Sequence, residues 1–491
     1  MLELAQALNK AGIEILSTGG TAKMLSDNGI PVVKISDYTG HPEIMEGRVK
    51  SLHPKVHGGI LARRSDKGHM DDMAKHNIKP IDLVVVNLYP FEQTVAKSGV
   101  SDADAIENID IGGPSMIRSA AKNHEDVAVV VDTTDYPEII NAIQNGIGTS
   151  YEQRRRLATK AFDRTSAYDR AIHAYLSSAT QPDMLKLEYR KVSPLRYGEN
   201  PHQTASFFTT AKDMVYTGEN QLHGKELSYN NILDISAALQ LAREFSDSCA
   251  VIIKHTNPCG VAIDANQLTA YKKAYACDTA SAFGSVLAFN KKLTAETAEE
   301  IGKTFVEAVI APDYEDKAIE ILKQKKNIRI IRPKGFYLPE TDVIKTVIGG
   351  LLVQSPDNIL LDEANLRVVS KRQPTPEEMA DMRFAWTVAK HVKSNAIIFA
   401  RDGQTVGIGA GQMSRVDSSK IAVSKAQSPV KGCAMSSDAF FPFRDGIDAA
   451  GEVGITAVIC PGGSVRDDEV IAAADQYGMA MVFTGIRHFR H

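Results

Sequence analysis

The first third of the chain alternates helix-like and strand-like segments, and this alternation limits the fold more than any other feature. Apolar residues recur at helical spacing in MLELAQALNKAG (1–12), whereas IEIL (13–16) is typical of a strand. TAKMLSDNG (21–29) predicts a short helix that ends at Gly29, and IDLVVVNLYPF (81–91) predicts a buried strand that leads into a loop. Elements that alternate in this way predict an open, mainly parallel α/β sheet.

The first domain is predicted to end at a short linker. A strand at 127–131 and a helical tail at 152–178 close the alternating pattern, and SSATQPD (177–183) has the composition of a linker. A length of 491 residues is too great for one core and predicts roughly two to four domains. We therefore expect one domain at 1–185 and a further domain region at 186–491.

The second part of the chain mixes both kinds of element and contains a weak internal similarity. CAVIIK, SVLAF, AIIFA and ITAVIC predict strands, and PEEMADMRFAWTVAKHV predicts a helix. The segments that begin at residues 277 (CDTASAFGSVLAF) and 436 (SSDAFFPFRDGIDAA) each place an acidic residue and small residues before phenylalanine. This similarity favours a duplicated fold.

Composition excludes several classes of protein. Hydrophobic residues make up 43% and charged residues 24%, and no apolar run is long enough to cross a bilayer, so no membrane role is expected. The N-terminus carries Glu3 and lacks the pattern of an export signal, which predicts a cytoplasmic protein. A net charge of −4 with interspersed signs gives no broad basic surface. Nucleic acid is therefore not an expected partner, and small anions fit better.

The loop in LSTGGTAKML follows a predicted strand and opens a predicted helix. The hydroxyls of Ser17, Thr18 and Thr21 would then converge on an anion at the helix N-terminus. The backbone amides of Gly19 and Gly20 would add two more donors. The alternative is a glycine-rich turn with a threonine cap.

A second loop, in EGRVKSLHP, offers Arg48, Lys50 and Ser51. By itself, such a run is more often a solvated charged surface than a binding site. Beside two other loops of similar character, it favours a phosphate site.

A third loop, in IDIGGPSMIRSAAKNH, places Gly112 and Gly113 ahead of Pro114, whose fixed φ suits the first position of a helix. Free amides would again face whatever lies before that helix. Arg118 and Lys122 follow one turn apart on one side. Lys122 is either a surface lysine or a residue that holds substrate or moves a proton.

The segment IIKHTNPCG (252–260) ends a strand-like run with Lys254 and His255. A histidine followed shortly by Pro-Cys matches part of the zinc pocket of nucleobase deaminases. That pocket needs a second thiolate three residues after Cys259, where this chain has Ala262. No zinc site is therefore expected, and the alternative is a metal-free proton-transfer site. The five cysteines include no C-x-x-C pair, which predicts a reducing compartment.

Many motifs together resemble one family. They are STGGTAKML, EGRVKSLHPKVHGGILAR, VVNLYPF, IDIGGPSMIRSAAKNH, LRYGENPHQTA, LSYNNILDISAAL, IKHTNPCG, SNAIIFA, GIGAGQMSR, SDAFFPFRDG and the terminal RHFRH group. Together they run from residue 13 to residue 491 and resemble the bifunctional purine biosynthesis protein family. That family joins aminoimidazole carboxamide ribonucleotide (AICAR) formyltransferase to inosine monophosphate (IMP) cyclohydrolase.

The resemblance implies a fold and an activity for each part. Residues 1–185 would form a methylglyoxal-synthase-like domain that cyclises formyl-AICAR to IMP with loss of water. Residues 186–491 would form the transformylase, built from two cytidine-deaminase-like units without zinc. The formyl donor would be 10-formyltetrahydrofolate.

The chemistry of formyl transfer gives Lys254 and His255 separate roles. The attacking amine of AICAR is conjugated with its carboxamide, so it must lose a proton as it attacks, and a histidine suits that step. We expect His255 to be the base, acting through the carboxamide, and Lys254 to stabilise developing negative charge or the leaving folate nitrogen. Adjacent side chains on a strand point oppositely. Both can serve one site only if the chain turns there, for which the Asn-Pro pair is the expected turn.

The resemblance also implies binding residues. For AICAR these are Arg196, Tyr197, Gly284, Glu307, Asn395 and Arg415, although some relatives have aspartate at the position of Glu307. For the folate they are Phe440, Asp445, Ser464 and Arg487. In the first domain Lys122 resembles the proton-transfer residue. The nucleotide contacts there would be Thr18, Thr21, Arg48, Lys50, Ser51, Asn87, Tyr89, Asp110 and Ile111, although Asn87 and Tyr89 could instead fix their loop.

The resemblance has implications for assembly and for the N-terminus. The family works as a homodimer with shared transformylase sites, and a structural potassium ion is compatible with it. The chain begins within a helix, whereas the family begins earlier with a strand and a Ser/Lys-bearing loop. We therefore expect weak cyclisation caused by a raised KM. The alternative functions are a zinc-dependent nucleobase deaminase and a non-catalytic regulator that binds purine nucleotides.

Overall fold

A computed structural model describes residues 1–88, 91–95, 97, 99–177, 185, 187–210, 216, 218–334, 336 and 341–491. The chain divides into two compact units, Met1–Lys186 and Leu187–His491. Except for Ser177, the predicted linker SSATQPD lies outside the described residues. No helix in the described part of the chain is both long and apolar enough to cross a membrane.

The first unit has the predicted alternating α/β character. Its helices are α1 (Leu2–Lys10), α2 (Gly19–Asp27), α3 (Ile35–Thr39), α4 (Pro54–Leu61), α5 (Lys67–Lys75), α6 (Phe91–Val95), α7 (Asp102–Glu107), α8 (Gly112–Lys122), α9 (Tyr136–Gln144) and α10 (Tyr151–Leu176). Its strands are β1 (Leu16–Ser17), β2 (Val33–Lys34), β3 (Leu83–Val85) and β4 (Ala128–Val130). Strand β1 pairs with β2 and β3 with β4, both in parallel. The parallel pairing confirms the predicted fold class for this unit.

Two local predictions for the first unit were wrong. The strand predicted at 13–16 is found at Leu16–Ser17. Helix α8 begins at Gly112, so Pro114 is its third residue rather than its first. In both cases the element type was correct and the boundary was not, because helix and strand ends depend on capping and pairing partners outside the local pattern.

The second unit is built around one large sheet. Its helices are α11 (Tyr229–Ala242), α12 (Gln267–Tyr275), α13 (Ala295–Ile301), α14 (Asp316–Lys323), α15 (Pro376–Ala389), α16 (Arg415–Lys425), α17 (Asp445–Glu452) and α18 (Asp467–Gln476). Its strands are β5 (Arg190–Leu195), β6 (Ala205–Thr209), β7 (Gln221–His223), β8 (Cys249–Lys254), β9 (Asn257–Ile263), β10 (Ser285–Phe289), β11 (Val306–Ile310), β12 (Arg329–Ile331), β13 (Val343–Val347), β14 (Gly350–Gln354), β15 (Arg367–Val368), β16 (Ile397–Arg401), β17 (Gln404–Gly409), β18 (Ala434–Ser437), β19 (Ala457–Cys460) and β20 (Ala480–Phe483). Among the described residues of this unit, twelve strands form one sheet in the order β15-β20-β19-β18-β16-β17-β9-β8-β10-β11-β12-β7.

This sheet contains an internal repeat. The series α11-β8-β9-α12-β10-α13-β11-α14-β12 has the same element order as α15-β16-β17-α16-β18-α17-β19-α18-β20. The pairing also matches: β8 and β16 each run antiparallel to both neighbours, and parallel strands follow. The halves meet where β9 pairs antiparallel with β17. The expected duplication is therefore present as a repeated topology, and its deaminase-like character stays a prediction.

The two segments that suggested the duplication are not equivalent to each other. Residues 277–289 lead into and form β10, whereas residues 436–450 begin with the last two residues of β18 and enter α17. The similarity was too short to fix the register of the repeat. Helix α11 and helix α15 supply a better marker, because each is 14 residues long and begins with a capping box, at Ser228 and Thr375 respectively.

The central strands explain why the sheet is buried. Every residue of β10, β18, β19 and β20 is buried, and so are the first five residues of β8. Continuous apolar strands of this kind are typical of a sheet covered by helices on both faces. Since the interiors of these strands are taken up by the core, functional side chains of the sheet are expected at the strand ends rather than within the strands.

Candidate active site

One end of the large sheet collects most of the predicted site residues of the second unit. Because β8 and β16 are antiparallel to their neighbours, this end holds the carboxyl ends of β8, β17, β18, β19 and β20. It also holds the amino ends of β9, β10, β11, β12 and β16. The predicted residues on or next to these strand ends are Lys254, His255, Gly284, Glu307, Asn395, Arg415, Phe440, Ser464 and Arg487.

Residues His255 and Thr256 form a tight turn between β8 and β9. Lys254 pairs with Asn257 across the hairpin, so the turn has two residues. Both have left-handed backbone angles, with φ of 52° at His255 and 63° at Thr256. This is the geometry of a type I′ turn, which normally takes asparagine and glycine. The predicted turn is confirmed, but His-Thr forms it, and the Asn-Pro pair (Asn257 and Pro258) lies in β9.

Lys254 is held at the carboxyl end of β8. Its Nζ donates a hydrogen bond to the carbonyl of Phe283 at 2.6 Å. The next residue, Gly284, has a φ of 71°, and a Cβ placed on it would lie 3.5 Å from the ring of Phe305 and 3.9 Å from Lys254 Nζ. Glycine at this position therefore leaves the ammonium group open on one side. The structure brings the predicted residues Lys254 and Gly284 together.

A cavity of about 600 Å³ lies at this turn. Its polar lining consists of Lys254, His255, Asn257, Asp278, Ser281, Gln412 and Lys425. The sequence analysis missed Asn257, Asp278, Ser281, Gln412 and Lys425. Two of these could have been found from the sequence. Asn257 lies two residues after the Lys-His pair, and Gln412 lies three residues before Arg415 in GQMSR. The others come from segments that only the fold brings together.

The acidic group in the cavity is Asp278. Its carboxylate accepts hydrogen bonds from the amide of Ser281 at 2.9 Å and from the Ser281 hydroxyl at 2.7 Å. Lys425 Nζ lies 3.6 Å away. Burial alone would raise the pKa of Asp278, but Ser281 and Lys425 outweigh burial and hold it below its ordinary value. The cavity that the candidate base lines therefore also contains an ionised carboxylate.

Two thiols lie near this turn. Burial raises the pKa of Cys259 and of Cys277 to about 12, so both are neutral thiols at physiological pH. Ala262, where a deaminase would have its second thiolate, is fully buried within β9. In the described ranges, no group of three or more His, Cys, Asp or Glu side chains is arranged to hold a metal ion.

In the second half of the repeat, Arg415 is the most constrained predicted residue. It lies at the start of α16, where its guanidinium donates to Ser437 Oγ and to Asp438 Oδ1, both at 3.1 Å. Asp438 is fully buried. Burial lowers the pKa of Arg415, and the Asp438 charge opposes that effect. Asn395 lies nearby at the amino end of β16 and donates its side-chain amide to the carbonyl of Gln412 at 2.9 Å.

Three of the predicted folate-binding residues lie at the same end of the large sheet. Strands β18, β19 and β20 are parallel and in register, so the loops that carry Phe440, Ser464 and Arg487 leave the sheet side by side. Loops at the carboxyl ends of parallel strands are the usual ligand position in such sheets. Phe440 is 36% exposed, and the Arg487 guanidinium lies 4.3 Å from the centre of the Phe489 ring. Asp445, the fourth predicted residue, is the first residue of α17.

The three remaining substrate predictions are Glu307, Arg196 and Tyr197. Glu307 near the start of β11 forms an ion pair with Arg329 at 2.6 Å. Arg196 and Tyr197 lie on the loop after β5, where the guanidinium stacks 5.4 Å from the tyrosine ring centre. That loop contacts the first turn of α11 through a hydrogen bond from Asn230 to the carbonyl of Glu199 at 3.3 Å.

In the first unit, two of the three predicted anion loops come together at α2. The N-terminus of α2 follows Thr18 and has no side-chain cap. A Cβ placed on Gly19 would lie 3.8 Å from Lys50 Nζ, so the lysine of the second loop faces this helix end. Thr21 lies on the first turn of α2. Helix N-terminal amides beside an ammonium group are the donors that an anion site requires.

The second and third loops meet at the N-terminus of α8. Ser51 is buried, and its hydroxyl lies where a Cβ on Gly112 would be only 2.6 Å away. Asp110 accepts a hydrogen bond from the amide of Gly113 at 2.9 Å, so this amide is already satisfied. Ile111, the N-cap residue of α8, is 58% exposed. Glycine at 112 is required by this close approach.

Three other nucleotide predictions have different environments. Arg48 is exposed and forms an ion pair with Glu107, which raises the pKa of Arg48. Asn87 donates a hydrogen bond from its side-chain amide to the hydroxyl of Tyr136 at 3.0 Å. This contact fits the alternative that Asn87 fixes its loop. Tyr89 lies outside the described residues.

The structure does not bring Lys122 to the three loops. Lys122 is the last residue of α8, and ten residues of helix separate it from Gly112 by roughly 15 Å. It lines a cavity of about 610 Å³ together with Arg118, Arg155 and Phe162. The Arg118 guanidinium lies 5.6 Å from the centre of the Phe162 ring. By contrast, Lys50 is the lysine that the fold places at the loops.

Two family models match the chain. A family model described as "AICARFT/IMPCHase bienzyme" matches residues 120–425, more than half of the chain, and one described as "MGS-like domain" matches residues 1–115. The chain is also similar to a protein in a solved structure, "Crystal structure of ForH", with 36% identity over 37% of this chain and 93% of that chain and a TM-score of 0.34. The chain belongs to the AICARFT/IMPCHase bienzyme family, which covers AICAR formyltransferase and IMP cyclohydrolase and so the two final steps of IMP synthesis.

Proposed function

We propose that formyl transfer takes place at the turn of His255 and Lys254. The AICAR amine attacks the formyl carbon of 10-formyltetrahydrofolate, the bond from that carbon to the folate nitrogen breaks, and the proton lost by the amine passes to the leaving nitrogen. His255 takes up the amine proton through the carboxamide and passes a proton on to the leaving nitrogen, and Lys254 stabilises the negative charge that grows on the formyl oxygen. The observation that carries this proposal is the two-residue turn after β8, because it lets the adjacent side chains of Lys254 and His255 line one cavity.

The sheet end offers room for two ligands side by side. Four strand spacings separate β8 from β18, which corresponds to roughly 19 Å. AICAR would lie near His255, bound by Arg196, Tyr197, Gly284, Asn395 and Arg415, with Glu307 beside them. The folate would lie over the carboxyl ends of β18, β19 and β20, against Phe440, Asp445, Ser464 and Arg487. The exposed ring of Phe440 supports a stacking contact with the flat pterin.

Replacement of Arg487 by alanine is expected to raise the Michaelis constant for the folate donor by about 10-fold, because a charge-assisted contact contributes roughly 1.5 to 3 kcal/mol. The Michaelis constant for AICAR should stay within about twofold of the wild-type value, because the variant loses a binding contact with the folate donor only. Initial rates with each substrate varied in turn measure both constants. A rise in the AICAR constant alone would move Arg487 out of the folate site.

For the first unit, we propose that it cyclises formyl-AICAR. The carboxamide nitrogen attacks the formyl carbon, and the ring closes with loss of water. The loops at Thr18, Thr21, Lys50 and Ser51 bind the nucleotide phosphate, with Arg48, Asn87, Tyr89, Asp110 and Ile111 as the other predicted contacts. Lys122 moves the proton. The uncapped N-terminus of α2 beside the Lys50 ammonium group supports the phosphate site.

Product analysis tests this assignment against its rivals. Purified protein mixed with AICAR and 10-formyltetrahydrofolate should release tetrahydrofolate and IMP. A regulator that only binds nucleotides would yield neither product. A zinc deaminase would contain stoichiometric zinc in elemental analysis and release ammonia. Formation of tetrahydrofolate without formyl-AICAR or IMP would contradict the proposal.

We propose further that the protein works as a homodimer in the cytoplasm. Beside Lys254, the rings of Phe283 and Phe305 are 60% and 46% exposed and lie 5.3 Å apart, which supports a second copy over this surface. All five cysteines are free, which supports a reducing compartment. A structural potassium ion remains compatible with the proposal.

Dilution tests the dimer. If the transfer site is shared, transfer per mole of protein should fall by at least about half once the concentration drops below the dimer dissociation constant. Cyclisation should change less, because its candidate residues lie within one unit. Sedimentation and both half-reactions measured over the same dilution series decide the question, and a monomer with full transfer activity would contradict it.

A further inference from the structure

The turn that carries His255 is strained. Both of its residues have a φ in the left-handed region, and neither is glycine. Thr256 is also β-branched, for which a positive φ is a genuine outlier. Such a conformation persists only where neighbouring groups hold it. The structure therefore needs a group that fixes the amides of this turn.

That group is Asp234 on α11. Its Oδ1 accepts a hydrogen bond from the amide of Thr256 at 2.7 Å. Burial raises the pKa of Asp234, while the amides of Thr256 and His255 and the charges of His255 and Lys254 act in the opposite direction. The carboxylate thus faces the backbone of the turn and lies within electrostatic range of both candidate catalytic side chains.

The repeat contains the same contact in its other half. Asp381 on α15 accepts a hydrogen bond from the amide of Gly403 at 3.2 Å. Asp234 and Asp381 are each the sixth residue of their helix, and each lies 22 residues before the turn residue that it binds. The second turn, Asp402 and Gly403, also has two left-handed residues, with φ of 53° and 68°.

The two turns differ in position and in strain. Strand β16 runs antiparallel to β8 across β17 and β9, so the Asp402–Gly403 turn lies at the opposite end of the sheet, away from Lys254 and His255. Its second residue is glycine, which adopts a positive φ without cost. In the first turn this residue is Thr256, so that turn depends on its aspartate more strongly.

We propose that Asp234 is a positioning residue for formyl transfer, which holds the His255–Thr256 turn left-handed and so directs Lys254 and His255 into one cavity. This inference rests on the proposed roles of Lys254 and His255. Asp234 touches neither substrate in this role. It acts through the turn, and a small displacement of a catalytic group lowers a rate strongly.

The test compares Asp234→Ala with the matched variant Asp381→Ala. Asp234→Ala should lower kcat for transfer by about 100-fold with both Michaelis constants within about threefold, because geometry rather than binding is lost. Asp381→Ala removes the equivalent contact at the other sheet end, and its kcat should stay within about twofold. Tm and the circular dichroism spectrum of both variants show whether the second unit is folded, and cyclisation of supplied formyl-AICAR checks the first unit.

Two further variants separate positioning from general stability. Asp234→Asn keeps an acceptor for the Thr256 amide and should recover at least about tenfold of the lost kcat. Adding Thr256→Gly to Asp234→Ala should also recover activity, because glycine needs no clamp to stay left-handed.

The outcomes distinguish the inference from the proposed function. Wild-type kcat in Asp234→Ala, or an equal loss in Asp381→Ala, would overturn the positioning role. Absence of recovery in both rescue variants would overturn it as well. His255→Ala is assayed in parallel: if that variant keeps transfer, the proposed site itself fails, whereas its loss beside an active Asp234→Ala refutes only the role of Asp234.

Discussion

Replacing His255 with alanine is expected to lower formyl transfer by about 10²- to 10⁴-fold, the range that a positioned general base contributes. Without this base the AICAR amine cannot lose its proton as it attacks the formyl carbon, so the decrease in rate should appear in kcat. Lys254→Ala should have a similar effect through lost charge stabilisation. Cyclisation of supplied formyl-AICAR should be unchanged in both variants, because its candidate residues lie in the other compact unit.

Each half-reaction serves as the control for the other. Transfer is measured by release of tetrahydrofolate, and cyclisation by formation of IMP from synthetic formyl-AICAR. Either variant losing cyclisation while it keeps transfer would show that the site assignment is wrong.

Replacing Lys122 with alanine is expected to impair cyclisation by about 10²- to 10⁴-fold in kcat, because it is the proposed proton-transfer residue. Transfer should be spared, so formyl-AICAR should accumulate in the coupled reaction. Lys50→Ala should instead raise the Michaelis constant for formyl-AICAR by about 10- to 100-fold, as expected for the loss of a charge-assisted phosphate contact.

This pair of variants is informative because the structure separates the two lysines. Lys50 faces the N-terminus of α2, whereas Lys122 ends α8. Steady-state kinetics with formyl-AICAR distinguishes an effect on kcat from an effect on the Michaelis constant. If Lys122→Ala cyclised normally and Lys50→Ala lost kcat, proton transfer would belong to Lys50.

The sequence predicted local features better than their meeting points. Helix and strand patterns such as those of α1, α10, β8 and α15 were correct, because apolar periodicity records which face is buried. The similar chemistry of the three loops in the first unit was also visible in the sequence, but the close approach of Ser51 to Gly112 was not. By contrast, the convergence of Asn257, Asp278 and Lys425 depends on strand order, which no local pattern encodes.

The turn at His255 shows the same limit. The chemistry of an adjacent Lys-His pair required a turn, and the structure has one. Which residues form it could not be predicted, because His-Thr is a poor turn sequence and relies on Asp234, more than 20 residues earlier in the chain. Likewise, the sequence indicated an internal repeat but not which residues of its two halves correspond. That correspondence follows from Asp234 and Asp381 rather than from the similar segments that begin at residues 277 and 436.

The central claim is that two half-reactions occupy two separate sites of one chain, and mixing two inactivated proteins tests it most directly. His255→Ala and a Lys50→Ala, Lys122→Ala double variant are each incubated with AICAR and 10-formyltetrahydrofolate, alone and together. Alone, the first should form neither intermediate nor IMP, and the second should stop at formyl-AICAR. The mixture should form IMP, because the intermediate made by one protein is cyclised by the other. Absence of IMP from the mixture, while supplied formyl-AICAR is also not cyclised by His255→Ala, would contradict the account.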